Sequence, residues 1–470
     1  MPFRVAILST LASLLFGATL AAQQFIPLPA GAMAMDVTPD GSVVVGIANG
    51  GGFIWRWRVD PAPTIVPGGT MVAVSDDGLV VAGTIVDPTV NAEVAAIWTQ
   101  ATGWQSLGWL PNAMNCPSRS NSYAISGDGT TVVGLSWDGC SGRGFRWTAA
   151  TGMQQLQNLA NGNNRCSAIS RDGSTMGGFA QGTFNRTPAF WGPGTSGFVL
   201  DPNFQGEVYG FNNDGSLSVG TNYFSGSSYS AFIRDKQTGI MLNLGQLNSG
   251  WAGNAKDISE NGKVVVGFDS LMLAIEAWVW TPSDGIISLN NRLAALGVTG
   301  VPPLGSCTAV SDDGNVIVGG GGFTTGFIVQ MSNLLPFGTG TPGCTGPEVL
   351  SGSPAPKVNT PSFALSCTNA PPSSLGLWLF MDAADFAGSD PFAIGAKLHV
   401  DLFAATTLIG LNGTSDPTGL GTCAAPIPST PTLAGATLYA QALWAWPLSV
   451  CNNLPFGLSS SNGLAITFLP

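Results

Sequence analysis

The sequence predicts an all-β protein, a seven-bladed β-propeller followed by a β-sandwich-like domain. Three observations carry the prediction. A turn dipeptide followed by a short aliphatic run recurs seven times between residues 34 and 331. The turn glycines of successive copies lie 37 to 52 residues apart, near the length of a four-stranded propeller blade. Beyond residue 347 the chain becomes a series of short apolar runs separated by turn residues, the pattern of a compact β domain.

Met-Pro-Phe-Arg opens the chain, followed by an apolar stretch from Val5 to Ala22 and then Gln23-Gln24. This reads as a secretory signal peptide over residues 1–22, cleaved after Ala21 or Ala22. A membrane anchor is the competing reading, but Ser9, Thr10, Ser13, Gly17 and Thr19 soften the stretch below what a span of about 20 strongly apolar residues needs. No later stretch is apolar enough, so the mature chain is expected to be secreted or at the cell surface without a transmembrane segment. Eight cysteines in an exported chain suggest four disulfides. Cys116, Cys140, Cys166 and Cys307 precede residue 335 and Cys344, Cys367, Cys423 and Cys451 follow it, so each half can close its own bridges. Cys116 with Cys140 is the expected pair in the propeller, because both lie in connections of the third copy that open on one face.

The seven copies are Asp40-Gly41, Asp77-Gly78, Asp128-Gly129, Asp172-Gly173, Asp214-Gly215, Asn261-Gly262 and Asp313-Gly314, each followed by a run such as Val43-Val44-Val45-Gly46. A small-residue strand, for instance Tyr123-Ala124-Ile125-Ser126, precedes the turn, whose glycine supplies positive φ. The aliphatic run is apolar on consecutive residues, as a strand buried on both faces between blades must be. A third strand carries apolar residues two apart (Phe53/Trp55, Ala96/Trp98, Phe145/Trp147, Trp278/Trp280), expected to face the next blade. A fourth strand is read at Met153 to Leu159 and Ile240 to Leu247, with a shorter version at Thr64 to Val66.

The seventh copy ends at Phe327–Met331 with no fourth strand after it, whereas Gln24 to Leu28 precedes the first copy and matches the fourth strands in length and character. Pairing of this segment with the strand around Phe327 to Gln330 would close the ring and leave no open edge. An open solenoid of the same units is the rival.

Ala124-Ile125-Ser126-Gly127-Asp128-Gly129, Phe145-Arg146-Trp147-Thr148 and Thr151-Gly152 make the clearest copy. The pattern resembles the HAF family of bacterial extracellular repeats over roughly residues 34 to 331. Arg234 and Val329 depart from it where the third strand carries tryptophan elsewhere. The resemblance implies an exported repeat module and no defined activity.

The propeller is assigned to residues 23–334, a Gly/Thr/Pro-rich linker to 335–347 and the sandwich-like domain to 348–470. Phe337 to Cys344, His399-Val400-Asp401, Pro431 to Gly435 before Tyr439 to Ala442, and Ser461 to Leu464 resemble a C-terminal domain of exported planctomycete-type bacterial proteins, which implies an appended surface or sorting element.

Composition narrows the function. With 16 basic against 27 acidic residues, a net charge of −11 and no basic run, a nucleic-acid partner is excluded. The single histidine, His399, argues against a Ser-His or Cys-His triad and a His-rich metal site, and its strand position reads as outward or partly buried. The Ser-x-Asp-Gly motif invites comparison with sialidase-like Asp boxes, yet Tyr123, Tyr209, Tyr223 and Tyr229 are not paired in sequence with an arginine set. Glu93, Glu207, Glu260 and Glu276 are scattered and read as solvated. Asp382, Asp385 and Asp390 could offer oxygen ligands to Ca²⁺ but lack any known spacing; no cofactor is expected.

The expected function is a non-catalytic binding or scaffold role outside the cell, with a glycan or an extracellular protein as partner and the protein itself a monomer. A polysaccharide-active enzyme using loop carboxylates is the competing class. The candidate ligand residues are Trp109, Arg119, Trp137, Arg165 and Trp251, which fall in connections on one propeller face.

Overall fold

The computed structural model describes residues 25–468 except 90, 112–117, 138–139, 184, 201–204, 225–227, 297, 322–323, 332–333, 354–355, 431–432, 434–435, 448 and 452–453. The signal peptide expected at 1–22 lies outside the described residues, as does Cys116. The chain divides into two compact units, 25–331 and 332–470.

The first unit is a seven-bladed β-propeller of four-stranded antiparallel sheets. Blade 3 shows the plan: Ser120–Ile125 innermost, then Thr131–Trp137, Gly142–Thr148 and Gly152–Gln155 outermost. Blade 7 takes Cys307–Val310, Val316–Gly321 and Thr324–Gln330 from the end of the repeat region, and its outermost strand is Phe25–Pro27 from the start of the chain. Phe25, Ile26 and Pro27 stand opposite Val329, Ile328 and Phe327. The amide of Leu28 donates to the Gly326 carbonyl at 2.8 Å, and Leu28 itself is buried among Phe53, Val316 and Ile328. The ring therefore closes as the missing fourth strand requires.

The repeat motif is explained by its hydrogen bonds. In blade 2, Ser75 Oγ donates to Asp77 at 2.6 Å, the amide of Val80 donates to Ser75 Oγ at 3.0 Å, and the amide of Leu79 donates to Asp77 at 2.9 Å. Ser126/Asp128, Ser170/Asp172 and Ser311/Asp313 repeat the pattern. The turn glycines have φ between 67° and 76°, a conformation costly for any residue with a Cβ. The glycine ending each aliphatic run has a separate cause. Every innermost strand carries a β-bulge at the same place, between Ser122 and Ala124 in blade 3, and this glycine stands opposite it. A Cβ on Gly83, Gly134 or Gly178 would lie 1.9 to 2.1 Å from a carbonyl oxygen of the innermost strand.

The third-strand aromatics pack on the preceding blade, not the next one. Phe145 and Trp147 of blade 3 lie against Ala73, Ala82, Ala95 and Leu107 of blade 2, and Phe53 of blade 1 against Val318 and Ile328 of blade 7. One short helix, Leu289–Ala295, fills the connection from blade 6 to blade 7 and buries Leu289 and Leu293.

The second unit is built on one nine-stranded antiparallel sheet. Leu334–Phe337 at one end pairs with Gly463–Thr467, Val349–Ser353 lies at the other, and Gly352 stands close to Leu334, so the sheet is nearly closed. The segment read as a linker thus begins as a strand of this unit. Its core holds Trp378 and Trp444 edge to face at 5.9 Å, with Phe363, Phe380 and Ile466 around them.

The expectation of four disulfides is corrected. Cys344 and Cys451 are bridged, with Cα atoms 5.8 Å apart. Cys166, Cys307, Cys367 and Cys423 are free and buried. Cys166 and Cys307 occupy equivalent between-blade positions on blades 4 and 7, too far round the ring to meet. Cys367 stands opposite Gly421 and Cys423 opposite Leu365, neighbours in the sheet but out of register with each other. Cys140 is exposed and is not among the free cysteines, and its expected partner lies outside the described residues.

Candidate functional site: the central channel

The bulges set the channel wall. The bulged residues are Met35, Val72, Tyr123, Ser167, Tyr209, Lys256 and Thr308, one per blade, and all seven line a cavity of about 1550 Å³ on the propeller axis. The backbone repeats sevenfold while these side chains differ, so the wall is uneven. Blades 1 and 2 contribute Met33, Met35 and Val72, a largely apolar arc that also carries Thr70, Thr84 and Glu93. Blades 3 to 6 contribute Tyr123, Arg165, Ser167, Tyr209 and Lys256, a polar and cationic arc.

Arg165 is the best connected of these. Its Nη2 donates to Glu207 at 2.6 Å, its Nε to Ser167 Oγ at 3.0 Å, and its Nη1 to the Tyr123 hydroxyl at 3.3 Å. Ser167 Oγ also donates to Glu207, and Arg186 stands 3.8 Å from the same carboxylate. The guanidinium lies 4.7 Å from the Tyr123 ring centre. Lys256 Nζ sits 4.0 Å over the Tyr209 ring, and burial holds its amine below the ordinary lysine range. Glu207 is buried, which corrects its reading as solvated.

The end of the channel where the Ser-x-Asp-Gly turns meet is closed. Arg171, the x residue of blade 4, reaches across to the far side, where Nη1 donates to the Val74 carbonyl at 2.8 Å and Nη2 to the Val37 carbonyl at 3.2 Å. Its charge faces Asp36 at 3.8 Å and Asp76 at 3.3 Å. Around it the x residues join blade to blade: Asp76 N–H to Gly127, Gly127 N–H to Arg171, Glu260 N–H to Asp312 and Asp312 N–H to Pro39, at 2.7 to 3.0 Å. Pro39 has no N–H to continue the ring, and there Asp36 accepts the Val74 amide of blade 2 at 2.9 Å. Asp257 does the same for Val310 of blade 7 at 2.9 Å. Burial pushes the Asp257 carboxyl up to about 7, against the pull of its two amide donors, and raises Asp36 as well. Each of these two carboxylates holds a pair of backbone amides, so they act as staples between blades.

Of the five candidate ligand residues, Arg165 lines the channel. Arg119 and Trp137 form a separate pair, with the guanidinium 5.0 Å from the indole centre and the Trp137 amide donating to the Arg119 carbonyl at 3.1 Å. Trp109 and Trp251 are half-buried and are not among the channel-lining residues. The residues that sequence reading missed had a signal, since every bulged residue stands three positions before the Ser, Thr or Asn of its turn.

In the second unit His399 is fully buried, not outward or partly buried, with Nδ1 3.1 Å from the Asp385 carbonyl and Nε2 3.0 Å from the Thr339 carbonyl. Asp382, Asp385 and Asp390 do not converge. Asp382 accepts from Thr406 and Thr407, Asp385 from Gly388, and Asp390 from Ile394 and Gly395, and no metal-ligand cluster occurs among the described residues.

The fold and channel define the class, a seven-bladed propeller with a channel open at one end. No protein-family model matches the chain, and no curated protein matches it in sequence. Among solved structures it is similar to TolB of Acinetobacter baumannii, at 14% identity, a TM-score of 0.36 and coverage of 55% of this chain; it spans 64% of TolB, less than two thirds of that chain. It is also similar to an oligogalacturonate lyase of Vibrio parahaemolyticus, at 12% identity and a TM-score of 0.43 over 66% of this chain and 97% of that one. A third is the β-propeller domain of the Trilobed protease of Pyrococcus furiosus, at 9% identity and a TM-score of 0.38 over 66% and 96%.

Proposed function

We propose that the protein is an exported, non-catalytic binding or scaffold protein of the HAF-like repeat type, which receives part of a glycan or protein partner in its central channel. The observation that supports the reading is the channel itself. Its floor is sealed by Arg171, its wall repeats one backbone position over seven blades with six kinds of side chain, and its volume of about 1550 Å³ exceeds the ~300–1,000 Å³ of a drug-sized ligand site. Asp36, Asp257 and Glu207 are engaged with backbone amides or arginines, and Glu93 accepts from the Asn121 side chain, which leaves the wall suited to recognition. Export rests on the N-terminal sequence, and the Cys344–Cys451 bridge suits an oxidising compartment.

The test is a glycan, cell-wall and surface-protein array with the mature chain, followed by titration of each hit. Val72→Arg, which places a bulky charge in the channel, should reduce affinity at least tenfold, whereas Trp109→Ala, Trp137→Ala and Trp251→Ala should not. Hits that survive Val72→Arg and fail with the tryptophan variants would move the site to the outer loops. Hits that survive all four would move it to the second unit.

A further inference from the structure

The cationic arc has one cation without an anion in contact, Lys256, on which Glu207 and Asp257 act only from a distance. Arg165 spends its donors on Glu207, Ser167 and Tyr123, and so serves as part of the wall. Lys256 has no ion pair and no hydrogen bond among the described residues, and neither does the hydroxyl of Tyr209, over whose ring its ammonium lies. Both side chains line the channel, so two donors are presented side by side with nothing to accept them. A desolvated ammonium without a contacting counter-charge is costly, and a carboxylate placed against it recovers the loss.

The ring faces argue against a sugar. Stacking of a saccharide needs an open aromatic face, but Arg165 covers a face of Tyr123 and Lys256 a face of Tyr209. Opposite them Met33, Met35 and Val72 form an aliphatic stretch of wall, beside Thr70, Thr84 and Glu93. At the mouth Val86 extends this surface on blade 2, while Met272 and Leu273, 97% and 81% exposed at the tip of a blade 6 hairpin, stand on the side of Lys256. Such a width of exposed apolar side chain beside an unpaired cation matches a ligand with both an anionic and an aliphatic side.

We propose that the channel takes an acidic, aliphatic peptide segment of another protein, with a carboxylate on Lys256 Nζ and the Tyr209 hydroxyl and leucine-like side chains on Met35, Val72 and Leu273. This rests on the channel being the binding site and specifies its occupant. The lowered proton affinity of Lys256 agrees with it, since an incoming carboxylate restores the charged form.

The probes are a fluorescent octapeptide alternating leucine and glutamate, its leucine–glutamine counterpart, and trigalacturonate, each titrated against the mature protein at low and high salt. The glutamate peptide should bind at least tenfold more tightly than the glutamine peptide, with the ratio shrinking at high salt. Lys256→Met should bring the ratio below twofold, and Lys256→Arg should restore most of it. Leu273→Gln, at an exposed tip where folding is not at stake, should weaken both peptides equally. Equal binding of the two peptides, absence of binding by either, or a ratio unchanged in Lys256→Met overturns the proposal. Binding of trigalacturonate alone, lost in Lys256→Met, also overturns the peptide assignment but leaves the channel as the site. Array hits indifferent to Val72→Arg remove the channel reading itself.

Discussion

Leu28→Ala should destabilise the propeller by about 3 kcal/mol, because leucine truncations in well-packed cores cost ~2–5 kcal/mol. Leu28 is 4% exposed and packs in the cluster that joins blade 7 (Val316, Val318, Ile328) to blade 1 (Ala34, Val44, Phe53). Its side chain is therefore lost at the seam where the ring closes, and the partners on both sides are strands that cannot collapse inward without breaking their own ladders. For a unit of this size the melting temperature should fall by about 6 °C. Leu242→Ala is the control, since that leucine is 51% exposed on an outermost strand and its truncation should change stability by less than about 0.5 kcal/mol. Deleting residues 23–29 should have a larger effect than Leu28→Ala and should promote association, because it bares the edge of Thr324–Gln330. The assay is calorimetric unfolding of the three variants beside the parent. A Leu28→Ala protein melting with the parent, together with a deletion variant that melts with it too, would refute closure through this segment.

Three further outcomes follow from the buried charges and the bridge. Burial pushes Glu348 up to about 7 from 4.5, so its contribution to the second unit's stability is fully present below the unfolded value and falls by about 3 kcal/mol as pH rises through the folded one; Glu348→Gln should flatten that part of the stability curve between pH 5 and 8, and an unchanged slope would refute it. Arg171→Met leaves Asp36 and Asp76 uncompensated at the channel floor and should cost about 3–5 kcal/mol in urea unfolding, with neutral behaviour counting against the floor described above. Cys344→Ser opens a bridge between residues 107 apart and should cost the second unit about 2–5 kcal/mol, measured against the parent with and without reductant.

The architecture was legible in the sequence because its causes are local and repeated. Ser-x-Asp-Gly encodes a turn through contacts within six residues, Val-Val-Val-Gly encodes a buried strand opposite a bulge, and seven copies with one missing strand imply a ring that borrows its last strand from the other end. What depends on contacts between blades was not legible. Glu207 looked solvated because nothing nearby in sequence shows that Arg165, 42 residues away, would neutralise it. Leu289 and Leu293 lie one helical turn apart, too short a signal to stand out from the flanking strands. Cysteine count suggested four bridges, but strand register keeps Cys367 from Cys423 and the ring keeps Cys166 from Cys307. The channel wall lies between these cases. The repeat alone determines which position in each copy faces the axis, while only the closing of seven blades sets Tyr123, Arg165, Tyr209 and Lys256 beside one another, because a side chain's electrostatic surroundings are fixed by neighbours in space and not by neighbours along the chain.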